Sequence, residues 1–157
     1  MNHREHASEQ NHYRQLLGMA VLSLAAMYVL MYVMVDTFGN MHNNVNQLYM
    51  AGLMTAPMIV VELLVMRGMY RDRTRNVVIL TASVAVRVVC VIFIRQQTGV
   101  SDRQFLRSMI PHHAAAILMC EESPIQNAEI LKLCRTIITG QQVEIDQMKT
   151  MLHMLEK

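Results

Sequence analysis

Two adjacent imidazoles, His112 and His113, follow Pro111, with Met109 behind them and Met119 and Cys120 ahead. At about 100° per residue, Asp102, Phe105, Met109, His112, His113, Ala116, Met119 and Cys120 gather near one helix face, an inward stripe of metal-type side chains. Further on, Cys134, Gln141, Glu144, Met148 and Met151 share a face with Ile130, Ile137 and Ile145, whereas His153 points away. Thioether and thiolate sulfur mixed with imidazole selects copper(I), and silver(I) by extension, over hard cations that want oxygen. The candidate ligands are Met109, His112 and His113 first, then Met119, Cys134 and Met148. A single Met119 or Met151 reads by default as packing, because methionine also fills core gaps. Two imidazoles on a core-leaning face need partners, which favours ligation there.

Two helices must position these groups. Ser101 with Gln104 is a capping box that opens a helix to about Glu122, and Ser123, Pro124 and Gln126 repeat that signature for a second helix, which Gly140 weakens without ending. A hairpin turning near Ser123 puts Cys134 about level with His112 and His113. The same arithmetic separates Cys120 from Cys134 by roughly 12 Å along the axis, so that any disulfide is expected between chains. Two helices in about 60 residues bury little apolar surface, and pairing two hairpins into a four-helix bundle solves this. A homodimer or higher oligomer is expected.

The rest of the chain is apolar. Of 157 residues 53% are hydrophobic and 17% charged, against about 25% charged in soluble domains. A net charge of +2 without a basic stripe excludes an electrostatic nucleic-acid binder, and 3 cysteines without C-x-x-C spacing are no disulfide scaffold. Leu16 to Val35 carries no charge over about 20 residues, roughly 30 Å of helix, enough to cross a bilayer. It exceeds a signal-peptide core and lacks an A-x-A-like site, so it is expected to stay uncleaved. Leu48 to Met66, with Pro57 and Glu62, is a second span. Asn76 to Ile94 is a third, in which branched and aromatic residues at about 0.3 to 0.6 kcal/mol each outweigh the roughly 2.5 to 3.5 kcal/mol cost of Arg87.

Arg4 and Arg14 precede the first span and Arg67, Arg71, Arg73 and Arg75 fill the second connection, whereas the connection from Asp36 to Gln47 has no Lys or Arg. The positive-inside rule then makes the N-terminus cytoplasmic and puts residues 96–157 on the far side of a bacterial inner membrane, in the periplasm. Residues 1–15 are the cytoplasmic tail, 16–95 the three-helix membrane region and 96–157 the metal-binding domain.

Among 16 methionines, Met27, Met31 and Met34, and likewise Met50, Met54 and Met58, are spaced to share helix faces. A thioether-lined copper(I) relay is one reading; methionine in place of leucine in a packed span is the favoured one. Glu62 and Arg87, the ionisable residues deep in the spans, read first as an interhelical contact, although their depths differ by about 10 Å. His3, His6 and His12 lie in a polar tail expected to fray, where Glu9 to His12 forms an isolated E-x-x-H string. The bundle has no E-x-x-H pair, which argues against a di-iron oxidase, and there is no P-loop, G-x-S-x-G elbow or dinucleotide turn.

DRQFLRSMIPHHAAAILMC (102–120), then ILKLCRTIITGQQVEIDQM (130–148), resembles the domain of unknown function 305 family, whose pattern runs D-x-x-F-L-x-x-M-I-P-H-H-x-x-A-I-x-M and L-x-x-I-I-x-x-Q-x-x-E-I-x-x-M. Asp102, Phe105, Met109, His112, His113, Met119, Gln141, Glu144 and Met148 fall on pattern positions. The resemblance implies a ferritin-like helical bundle outside the cytoplasm that handles copper through Met and His ligands. The chain has one copy of the helix pair where many members carry two, Met151 lies near a place often held by tryptophan, and Cys120 and Cys134 stand where alanine is usual.

The expected protein is therefore all-α: three transmembrane helices followed by a two-helix ferritin-like hairpin that completes a four-helix bundle in an oligomer. The expected function is non-enzymatic binding of copper(I), or silver(I), for tolerance or delivery, with the bilayer, its own copies and periplasmic copper proteins as partners. A metal-free structural subunit of a membrane complex and a copper-dependent redox enzyme are the alternatives.

Overall fold

The computed structural model describes residues 3–156, with side chains from residue 10 onward. They form α1 (His3–Leu30), α2 (Val45–Val65), α3 (Arg73–Gln96), α4 (Asp102–Glu122) and α5 (Ala128–Leu155), with 3-10 turns at Met31–Met34 and Phe38–Asn40 and no strand among the described residues. The all-helical expectation holds. The chain divides into two compact units: one runs through Leu30 and resumes over Leu48–Thr98, and the other comprises Met31–Gln47 and the chain from Gly99 onward.

Three helical stretches, Gln10–Met34, Val45–Val65 and Arg73–Gln96, are long and apolar enough to cross a membrane. Their large apolar side chains point outward, Leu22 and Val65 being 72% exposed and Val78 61%. This is the surface a lipid-facing helix presents, because the bilayer removes any need to bury it. Inside the first unit Leu16, Leu63 and Tyr70 pack with Tyr13, Met19, Ile59 and Ile79. Gly52 lets α2 approach α3 closely, since a Cβ there would lie 3.1 Å from Cys90 Sγ. The α2–α3 turn is tied by Asp72, which caps α3 by accepting from Arg75 N–H at 3.0 Å, and by the Tyr13 hydroxyl, which donates to Asn76 Oδ1 at 2.8 Å.

Two expectations for this region are corrected. Helix α1 begins at His3, so the N-terminal segment continues the helix instead of fraying; the side chains of His3, His6 and Glu9, and with them the E-x-x-H string, lie outside the described residues. Glu62 does not meet Arg87. Its carboxylate accepts from the Tyr70 hydroxyl at 3.3 Å, while Arg87 is exposed and unpaired among the described residues. The two charges sit at different depths, and Tyr70 is within reach where Arg87 is not. Burial, then the neighbouring Glu62 carboxylate, raises the Tyr70 phenol and keeps it a donor.

In the second unit α4 and α5 form an antiparallel hairpin: Arg103 at the start of α4 donates to the Leu155 carbonyl at the end of α5 (2.7 Å). Gly99, at φ 74°, makes the break before α4. Ser101 caps α4 by accepting from Gln104 N–H at 3.5 Å. The Gln104 side chain completes no reciprocal box; it accepts from Val45 N–H at 3.1 Å. Helix α4 continues through Pro111 and α5 through Gly140.

The start of α5 differs from expectation. Asn127 caps it, its Oδ1 accepting from Glu129 and Ile130 N–H at 2.9 and 3.2 Å, and Ser123 to Gln126 are not helical. Asn127 satisfies two orphan donors at once, which Ser123 before Pro124 does not. This four-residue delay lowers every α5 residue toward the turn by about 6 Å relative to the expected register.

Leu106, Ile110, Ala114 and Ile117 of α4 bury against Ile145, Met148 and Leu152 of α5, with Val35 packed on the cluster. The segment 31–47 lies on one flank of this hairpin. It is held by buried asparagines: Asn40 donates to Asp36 Oδ1 at 2.7 Å, and Asn44 donates to Gln47 Oε1 at 3.1 Å while accepting from Gln47 N–H at 2.9 Å. His42 Nε2 in the same segment is buried without a partner. Burial, then Lys149 and Arg107, lowers its pKa, against a smaller opposing effect of Glu156.

Ile110 and Ile145 are fully buried, and Ile145→Ala is expected to destabilise the second unit by about 2 to 5 kcal/mol in chemical unfolding of the detergent-solubilised chain. A histidine with a lowered folded pKa takes up fewer protons folded than unfolded, so its stabilising contribution is full above about pH 6.5 and falls as pH drops. Thermal unfolding at pH 7 and pH 5 should therefore show acid destabilisation that His42→Gln reduces; an unchanged pH dependence in the variant would remove His42 as its source.

Candidate functional site

The hairpin places the metal-type stripe differently from expectation. The inner face of α4 is Leu106, Ile110, His113, Ala114 and Ile117; the stripe of Phe105, Met109, His112, Ala116 and Met119 lies about a third of a turn to one side. Phe105 is 51% exposed and Met119 52%, and His112 is exposed. The stripe is not inward in one hairpin, because α5 packs on the neighbouring row. On α5 the matching flank is Ile130, Leu133, Ile137, Glu144, Met151 and Leu155, of which Ile130, Leu133, Met151 and Leu155 are exposed. The segment 31–47 covers the opposite flank, so within this unit the motif flank is the open one.

Where the inner face meets that flank, four side chains converge by register. His113 is 9% exposed. Its Nδ1 lies 2.9 Å from the Met109 carbonyl and its Nε2 lies 2.8 Å from Glu144 Oε2. A carbonyl only accepts, so Nδ1 carries a proton and donates it. Nε2 then faces a carboxylate, which also only accepts when ionised. Two such acceptors at this distance need a proton or another cation between them. One turn from His113 and Glu144 respectively stand Met109 and Met148; Met148 belongs to the buried cluster and Met109 packs against that cluster. Helical repeats of four residues thus bring two thioethers, one imidazole and one carboxylate to a single edge.

Of the sequence-based candidates, Met109, His113 and Met148 are brought together. His112 is beside them, its ring centroid 6.0 Å from that of His113, but on the exposed side. Met119 is about two turns away toward the hairpin turn. Cys134 is corrected: it is not level with the histidines but forms a disulfide with Cys120, the Cα atoms 5.3 Å apart. In this state it offers no thiolate. The expectation that these cysteines are out of reach within one chain fails because Ser123 to Gln126 leave the helix and α5 starts only at Ala128, so the helical rise assumed across the turn does not hold there. Glu144 was placed on the right face by its spacing but not among the ligands; Cys120 likewise carried a signal, a cysteine near the end of α4, that only the true start of α5 resolves.

Among the described residues no group of three or more His, Cys, Asp or Glu side chains is arranged to hold a metal ion. The donors present are thioether and imidazole with one carboxylate, a set suited to a soft ion of low coordination number. Glu144 is more than half exposed, so its pair with His113 is screened, and Glu144→Ala is expected to cost about 1 kcal/mol or less in chemical unfolding. A loss comparable to Ile145→Ala would instead make the pair a main support of the hairpin.

Residues 93–152 match the family model described as "Domain of unknown function (DUF305)". An uncharacterized protein of Acanthamoeba polyphaga mimivirus is 31% identical over 140 residues, covering 87% of this chain and 90% of the relative. No solved structure matches. The likeness to the viral protein reaches beyond the hairpin into the long apolar helices, while the residues matched by the family model contain α4 and most of α5, including Met109, His113, Glu144 and Met148. The chain belongs to the DUF305 family.

Proposed function

We propose that this is a membrane-anchored protein that binds copper(I), or silver(I), on the open flank of its C-terminal hairpin, for tolerance or delivery and without catalysis. The observation that carries the reading is the convergence of Met109, His113 and Met148 beside Glu144. Met109, His113 and Met148 would hold the ion; its softness matches sulfur and imidazole. His113 Nε2 would exchange its Glu144 contact for the metal. The Met109 carbonyl would keep the ring orientation fixed from Nδ1. Glu144, left beside the bound cation, would compensate its charge.

A second copy of the chain completes this site. One hairpin leaves Phe105, Met119, Leu133 and Met151 exposed beside His112, and two such flanks facing each other give a ferritin-like four-helix bundle. His112 and Met119 would then supply further ligands or line the entrance. Two features favour a position for the hairpin outside the cytoplasm, facing an oxidising compartment such as a bacterial periplasm. The Arg-free segment 36–47 belongs to the same unit as the hairpin, as a topology with three crossings requires, and the Cys120–Cys134 disulfide is the chemistry of such a compartment.

The detergent-solubilised full chain, titrated with copper(I) against a chromogenic chelator, should compete for the metal. His113→Ala combined with Met109→Leu and Met148→Leu should lower the affinity at least tenfold while the circular dichroism stays helical. Unchanged competition in the triple variant would reject this site, and the absence of any competition in the parent chain would favour a metal-free structural subunit.

A further inference from the structure

The apolar cluster of the hairpin reaches Ile117 on α4 and no farther toward the turn. Beyond it Ile130 is 48% exposed and Leu133 57%, while Cys134 is 8% exposed. The turn end is therefore closed by the Cys120–Cys134 bond instead of by packing. When an exogenous dithiol reduces that bond, two thiols form and the dithiol becomes a disulfide; the two Cα atoms, 5.3 Å apart in the bonded form, start from a spacing that one ion can bridge. A metal–thiolate bond is about 2.3 Å, so two sulfurs on opposite sides of one ion stand about 4.6 Å apart. Side chains on Cα atoms at this spacing reach that separation by rotation about χ1. Cys120 is seven residues from His113, about 10 Å along α4.

We propose that the reduced Cys120 and Cys134 form a separate two-sulfur site for copper(I), and that the disulfide closes it. The exchange balances: copper(I) binds two thiols as a bis-thiolate with release of two protons, and the disulfide can re-form only after the ion leaves and an oxidant removes two electrons. The same two sulfurs thus join the helices in either state, through an S–S bond under oxidising conditions and through the ion under reducing ones. Metal binding here is linked to order at the turn. The site does not depend on the Met and His flank.

The test uses the full chain in detergent with Cys90→Ala, which leaves only this pair of thiols. Oxidised protein, and protein reduced with a phosphine and freed of it anaerobically, are titrated with copper(I) against a chromogenic chelator. The reduced form should take one more equivalent than the oxidised form. Cys120→Ser/Cys134→Ser should abolish that increment, whereas the triple variant at Met109, His113 and Met148 should keep it, which separates this site from the proposed function. Hydrogen exchange over residues 118–136 should accelerate on reduction and slow again with copper(I), a readout that also detects unfolding of the turn. Equal copper uptake by oxidised and reduced protein, an increment that survives removal of both cysteines, or no recovery of protection would each overturn the proposal.

Discussion

A hairpin of two helices has one inner face and two flanks, and packing the two helices together covers only the inner face. The inner face is closed by the row from Leu106 to Ile117 against Ile145, Met148 and Leu152. One flank is closed by the chain's own segment 31–47, whose buried Asn40 and Asn44 bond to Asp36 and Gln47. The other flank is left open, and it carries Phe105, His112 and Met119. The proposed function rests on that asymmetry: the open flank is where a second copy would dock and where a metal would enter.

At the edge of the open flank the chemistry is set by a hydrogen-bond inventory. The Met109 carbonyl fixes the proton on His113 Nδ1, and Nε2 and Glu144 are left to share a proton or a cation. Because the helix repeat brings Met109 one turn from His113 and Met148 one turn from Glu144, soft donors stand beside this point without any loop to place them. Sites on rigid helices hold their geometry better than sites on loops. The turn end is organised differently, with sulfur chemistry in place of packing.

Much of this was legible in the residues. Long apolar runs gave the three long helices, since span length and mean hydropathy are local properties and outweigh single charges such as Glu62 and Arg87. Ser101 with Gln104 located the start of α4 because capping is local too, although Gln104 spends its side chain on Val45, a partner far away in sequence. The start of α5 was less accessible: Ser123-Pro124 and Asn127 are both plausible caps, and the two backbone donors that Asn127 satisfies decide between them. The later start, together with the non-helical stretch Ser123 to Gln126 before it, moved Cys134 from the level of the histidines to Cys120 and brought Glu144 to His113. The inward placement of the stripe failed for another reason. Periodicity shows which residues share a face, but which face a single hairpin buries depends on how α5 packs on α4.

Native mass spectrometry of the detergent-released full chain, with and without copper(I), separates a metal-loaded assembly from a metal-free one. An even-numbered assembly of the chain that carries copper(I) and survives removal of detergent adducts is expected. A monomer that retains copper(I) as tightly would show that the open flank needs no second copy, and a copper-free species of any size at excess copper(I) would contradict the account as a whole.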